Sequence, residues 1–211
     1  AAHFYATKWE FNIIERADPK GYEIAEISES LNDKQEQYSQ LNGMGELLKH
    51  VTLQNFVSLC GQLRFQVRWS HQQMLPRTSV LGHMLIVAIF TYLFSLQINA
   101  CDKRRVNNFF TGLFHDLPEV LTRDIISPVK KSGEWLENML KEYEREQMKY
   151  EVYKLLPSQW HGQMQMYTED EFASIVTIDG DYERKSSDEI SESFNEDRFD
   201  PEAHKVVSNA S

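Results

Sequence analysis

The 211 residues predict an all-α fold, a helical bundle carrying a small N-terminal appendage. Three observations predict it. Apolar residues recur at helical spacing over most of the chain after Glu46. No span is long enough for a sheet of four or more alternating strands. The composition, 41% hydrophobic with 12 Phe, 9 Tyr, 7 Met and 4 Trp, can fill a core in a chain that buries roughly 70% of its unfolded surface. Folding therefore requires neither a disulfide nor a structural metal.

Residues 1–45 form the appendage, polar and acid-rich from Tyr22 onward and ending at the flexible pair Gly43 and Gly45. Within it the run KWEFNIIERA is compatible with a strand or a short helix, because so short a run does not fix the period. The main domain occupies residues 46–196. There Leu47, Leu48, Val51, Phe56, Leu59, Leu63 and Val67 share one apolar helical face, and a loop punctuated by Pro76 follows at 70–78. The run from Val80 to Leu96 approaches the roughly 20 residues that span a bilayer. It is read as a buried helix, because it carries His83 and the mean hydropathy of the whole chain is −0.51. After a polar break at 99–105, Phe109, Phe110, Leu113, Phe114, Leu117, Val120 and Leu121 mark another helix, which Pro128 ends or redirects. Glu134 to Leu156 reads as a long amphipathic helix with a charged, water-facing side, and a last helix is expected around Tyr182 to Phe194. The tail, 197–211, is expected to fray.

The formal charge of −10 repels phosphate backbones and anionic lipid, which argues against a polymeric nucleic-acid or membrane partner. A small anionic ligand remains compatible, since a few cations and a metal reverse the sign inside one pocket. The two cysteines, Cys60 and Cys101, suit a reducing compartment better than a disulfide scaffold, although one bridge between them stays open. No basic, apolar, cleavable segment opens the sequence, so the expected location is cytoplasmic.

The sequence contains no GxxxxGK[ST], GxGxxG, GxSxG, HExxH or CxxC motif, which removes support for P-loop, dinucleotide, α/β-hydrolase and zinc-finger chemistry. What remains is His115-Asp116 within an apolar helix, with Glu119 one turn later and Asp124 beyond. A buried carboxylate is costly unless paired or ligated, and His and Asp supply the N and O donors a divalent metal accepts. Pro118 removes an N–H and clashes with the Phe114 carbonyl, so it distorts the helix beside this pair. His83, 32 residues upstream, and Asp188 in a late helix complete a mixed N/O set with open positions, the composition of a catalytic site. Asp179 and Asp181 compete with Asp188 for its role.

The series Arg68-Trp69, His83, His115-Asp116-Leu-Pro-Glu119, Leu121-Thr-Arg-Asp124-Ile-Ile-Ser-Pro-Val-Lys130 and Lys185-Ser-Ser-Asp188-Glu-Ile-Ser resembles the HD-domain metal-dependent phosphohydrolases. Within them it is most similar to the branch of bacterial 5′-deoxynucleotidases, over about Leu48 to Phe194. The resemblance implies an HD-domain helical bundle in which His83, His115, Asp116 and Asp188 hold one divalent ion, Mn, Co, Mg, Fe, Ni or Zn. It also implies that Glu119 serves the attacking water, and that Arg68, Trp69, Asp124 and Lys130 line the substrate pocket. An arginine there offers bidentate donors to phosphate. Gly82 stands where relatives often place a carboxylate. No Gly-Tyr-Pro signature follows the HD pair, and Val120 replaces the second acid usual in (p)ppGpp hydrolases.

The expected activity is therefore hydrolysis of a phosphate monoester, such as a (deoxy)nucleoside 5′-monophosphate, by metal-activated water. The alternative is a non-catalytic HD-type module for nucleotide sensing or dimerisation. The charged helix at 134–156 also offers a homodimer contact.

Overall fold

The structure is a computed structural model and describes residues 1–70, 75–122, 134–169 and 173–202. Those residues are dominated by helices, as the spacing of apolar residues requires. The chain divides into two compact units, residues 1–55 and 56–211. The paired glycines place the boundary expected from sequence at 45/46; the division falls ten residues later, inside a helix.

In the first unit, α1 (Ala2–Ala17) settles KWEFNIIERA as helix. It packs on α2 (Ile24–Tyr38) through Phe11, Ile24 and Leu31, with Phe4 alongside. The apolar stretch from Glu46 is not one helix. α3 (Met44–Lys49) stops at His50, whose backbone is extended, and α4 (Val51–Gln62) begins immediately after it. The break is stabilised from the next turn: the Gln54 amide donates to the carbonyls of Leu47 at 3.1 Å and Leu48 at 3.0 Å. These are the last carbonyls of α3, which a helix end otherwise leaves unsatisfied.

The second unit is built around a helical hairpin, α5 (Val80–Gln97) and α6 (Asp102–Phe114). Ser79 caps α5, its hydroxyl accepting from the Gly82 N–H at 3.1 Å. Apart from Met84, the face that α5 turns to the interior has small or polar side chains: Val80, Met84, Val87, Ala88, Thr91 and Ser95 are its buried residues. Close approach of the helices explains this choice. A Cβ on Gly112 of α6 would sit 3.0 Å from the Ala88 Cα and 3.1 Å from the Ala88 nitrogen. Six of the eighteen residues of α5 are buried, so the helix expected to be buried is covered on one side only.

After a turn at 115–118 the chain continues in α7 (Glu119–Thr122). The long charged helix is confirmed as α8 (Glu134–Gln147), but its last residues change winding. A π-helical turn (Met148–Val152) and a 3-10 turn (Tyr153–Leu155) bring Met148, Val152, Tyr153 and Leu156 all inward. α9 (His161–Glu169) follows.

The expected helix at 182–194 is corrected at its start. Ile175–Ile178 and Asp181–Arg184 form an antiparallel hairpin, β1 and β2, and only then does α10 (Ser187–Ser193) begin, at a capping box made by Ser186 and Glu189. The turn is Asp179-Gly180, with φ of 52° and 93°. Positive φ at both central residues is what a two-residue hairpin of matching twist needs. The tail is also corrected over its described part. Glu202 is fully buried, exchanges two backbone hydrogen bonds of 2.9 Å with Ile175, and its carboxylate accepts from the Thr111 hydroxyl of α6. Cys60 and Cys101 are both free.

Gly112→Ala is expected to force α5 and α6 apart, because two of the three nearest obstructing atoms, the Ala88 Cα and nitrogen, are backbone. Overpacking of this kind costs about 1–3 kcal/mol, read as a lowered urea midpoint with helical circular dichroism retained. An unchanged midpoint would contradict the close helix approach.

Candidate metal centre

Antiparallel packing of α5 on α6 matches residues in opposite order along the two helices. The Asn108 amide donates to the Ser95 hydroxyl at 3.0 Å, Gly112 faces Ala88 and Thr91, and at the end of the series the rings of His115 and His83 lie 5.4 Å apart. His83 therefore occupies the first turn of α5, and His115 caps the last turn of α6.

Asp116 joins them because the helix ends there. The Leu117 N–H bonds back three residues to Phe114, and Glu119 to Asp116, so the backbone tightens through the Leu117-Pro118 step. Pro118 thus does what its covalent structure dictates, and Glu119 opens a new helix instead of continuing the old one.

A third segment supplies Arg68. Residues 66–68 run beside the start of α5, the Arg68 N–H donating to the Thr78 carbonyl and the Val80 N–H to the Gln66 carbonyl, both at 2.9 Å. The Gln66 side chain reaches the Glu119 carbonyl at 3.0 Å, tying the same segment to α7.

The side chains of His83, His115 and Asp116 form a group whose candidate ligand atoms all lie within 4.8 Å of one another. Asp116 Oδ2 is its centre: His115 Nε2 is 3.3 Å away, His83 Nε2 3.7 Å, and Arg68 Nη1 donates to it at 2.7 Å. His115 Nδ1 lies 2.9 Å from the Gly112 carbonyl. A carbonyl only accepts, so Nδ1 carries the proton and Nε2 presents its lone pair to the group. This is how metal-ligating histidines are commonly fixed.

The electrostatics agree. Burial, aided by the Arg68 charge, lowers the His83 pKa to about 4 against the pull of Asp116, which leaves the imidazole neutral near pH 7. Burial opposes ionisation of Asp116, but its neighbours His115, Arg68 and His83 together hold its carboxyl below the usual range. An ionised carboxylate and a lone pair directed at the same point suit a cation, and the residues present fit a divalent ion.

The other expected site residues are placed as follows. Trp69 is next to Arg68, half exposed, with a left-handed φ of 57°. Glu119 is buried at the first position of α7, three residues after Asp116. Asp188 is exposed in the first turn of α10 and is not in the three-residue group; Asp179 and Asp181 are exposed at the hairpin turn. Among the described residues the expected four-ligand set is thus represented by three. The C-terminal end of α10 and the residues after it meet the start of α6: the Ser191 hydroxyl accepts from Arg104 at 3.2 Å and the Asn195 side-chain carbonyl oxygen from the Cys101 N–H at 2.9 Å. Asp124 and Lys130 lie outside the described residues. The Gly112 carbonyl, the partner of His115, is not among the residues expected from sequence. Its position three residues before a histidine at a helix end was the available signal.

A model of the HD-domain family matches residues 60–210. The match spans well over half of the chain, and the chain belongs to the HD-domain family. No curated protein matches it. HD domains are generally metal-dependent phosphohydrolases, and the His/His/Asp group agrees with that class.

In the metal-free chain, His83 unfolded takes up its proton near pH 6.5 and folded only near 4. Between those values the unfolded chain binds more protons, so stability falls as the pH drops from about 6.5 towards 4. Asp116, with its lowered pKa, adds a further loss below about pH 4. Urea unfolding at pH 7, 5.5 and 4.5 should show the first decline, and His83→Asn should flatten it. An equal decline in the variant would contradict the neutral His83.

Proposed function

We propose that the chain is a phosphomonoesterase acting on (deoxy)nucleoside 5′-monophosphates, with His83, His115 and Asp116 holding a divalent ion. The observation that carries this reading is Arg68, a planar cation held 2.7 Å from a carboxylate that also faces two imidazoles. A guanidinium in that position balances the acid in the resting site and offers paired donors to a phosphoryl group that arrives. When bound, a divalent cation lowers the pKa of water and polarises a phosphoryl oxygen.

The residues of the chain supply the rest. His115, locked by Gly112, and His83, kept neutral, hold their lone pairs ready without first losing a proton. Glu119 stands at the start of α7 with its backbone anchored by Gln66, and in this reading it accepts the proton of the attacking water. Asp188 joins the ligand set in this proposal, and Asp124 and Lys130 line the substrate pocket with Trp69, as the sequence resemblance implies.

Purified protein given dAMP, dTMP, AMP or a non-nucleotide monoester with Mn²⁺, Co²⁺ or Mg²⁺ is expected to release inorganic phosphate, fastest from the nucleotides. Chelator and Asp116→Ala should abolish turnover. Glu119→Gln should cut kcat by about 10² or more, the usual share of a general base, while metal uptake by elemental analysis is kept. Arg68→Ala should lower kcat/KM in proportion to phosphate recognition. Tight nucleotide binding with no phosphate release would overturn the catalytic reading in favour of a sensor.

A further inference from the structure

α5 has its residues arranged in reverse of an ordinary surface helix. Apart from Met84, small and polar side chains line the buried side, and six large apolar ones face outward: Leu85, Ile86, Ile89, Phe90, Leu93 and Leu96 are each between 40% and 51% exposed. At 100° per residue these six fall on one continuous arc, opposite the buried arc of Val80, Met84, Val87, Ala88, Thr91 and Ser95. The helix contains no Asp, Glu, Lys or Arg between Val80 and Gln97.

With about 200 Å² per large side chain, the stripe leaves roughly 600 Å² of apolar surface on one helix, more than the few hundred Å² a soluble monomer ordinarily shows and near the ~800 Å² each partner gives a standard interface.

We infer that this face of α5 is a homodimer interface, in which a second copy of the chain lays the same helix across it about a two-fold axis. An interface on a two-fold axis must be complementary to itself, and an uncharged stripe of Leu, Ile and Phe meets that condition where a charged surface does not. The net charge of −10 makes two copies repel elsewhere, so their contact is favoured where charge is missing. Rows of side chains four apart, Leu85-Ile89-Leu93 and Ile86-Phe90, interdigitate with the same rows of a crossing helix. A bilayer is a poorer occupant despite the length and composition of the helix. The other side of α5 is bound to α6, where Asn108 bonds Ser95, and α6 carries Asp102, Lys103 and Arg105. The interface is thus assigned to α5 and not to the charged α8.

The test is the mass of the purified chain in solution. Sedimentation equilibrium from 1 to 100 μM should give twice the 24.8 kDa monomer mass. The double variant Ile89→Asp, Leu93→Asp should weaken association at least 100-fold, with helical circular dichroism unchanged. Leu93→Cys should form an intermolecular disulfide under mild oxidation, while the wild type, whose Cys60 thiol is pushed by burial up to about 12, should not. The crosslink and the wild-type mass decide the matter even if the double variant fails to fold. A wild-type monomer across that range, a dimer that survives the double variant, or a monomer that pellets with phosphatidylcholine vesicles each overturns the inference.

Discussion

The site depends on how closely α5 and α6 approach. Gly112 and Ala88 let the two backbones come within the space a single methyl group would need, and that distance sets where both helix ends lie. His83 is fixed near the start of one helix and His115 at the end of the other, so no flexible segment has to fold inward to bring the imidazoles together. The metal group is a by-product of a helix–helix contact two turns long. For the same reason its geometry is sensitive to packing changes that touch no ligand.

Each residue of the His/His/Asp group is held by a different physical device. The last turn of α6 orients His115 through a backbone carbonyl. Burial and a neighbouring cation discharge His83. Asp116 is released from the helix by a proline two residues on and kept ionised by its neighbours. Arg68 belongs to this group as fully as the three candidate ligands do, because without it the site would hold a largely buried carboxylate with only neutral rings around it, an arrangement that costs several kcal/mol per ion.

Much of this was legible in the sequence because the periodicity is strong where it matters. The helices holding His83 and His115 are dense in large apolar residues, and the HD pair followed by Leu-Pro-Glu signals both ligation and a break. The hairpin at 175–184 was not legible from periodicity, since its strands have four residues each and β2 is wholly exposed. Only Asp179-Gly180 marks it, as a dipeptide whose residues both tolerate positive φ. Glu202 was hidden for a similar reason: a polar tail gives no hint that one acid will find a threonine on α6. The helix-like context of Asp188 is legible and correct: it lies in the first turn of α10, behind the Ser186 cap.

The apolar run at 80–96 shows a limit of composition itself. A run without charges reads as buried, and the chain does bury one side of it. Whether the other side is covered depends on what the neighbouring helix can reach, and α6 is narrow at Gly112, so it covers a narrow arc of α5. The requirement that creates the metal group, a tight two-helix contact made of small residues, also displaces the large side chains of α5 to the outside. Site and exposed stripe are therefore two faces of one packing decision. Widening the contact to bury Leu85 and Leu93 would move His83 away from His115.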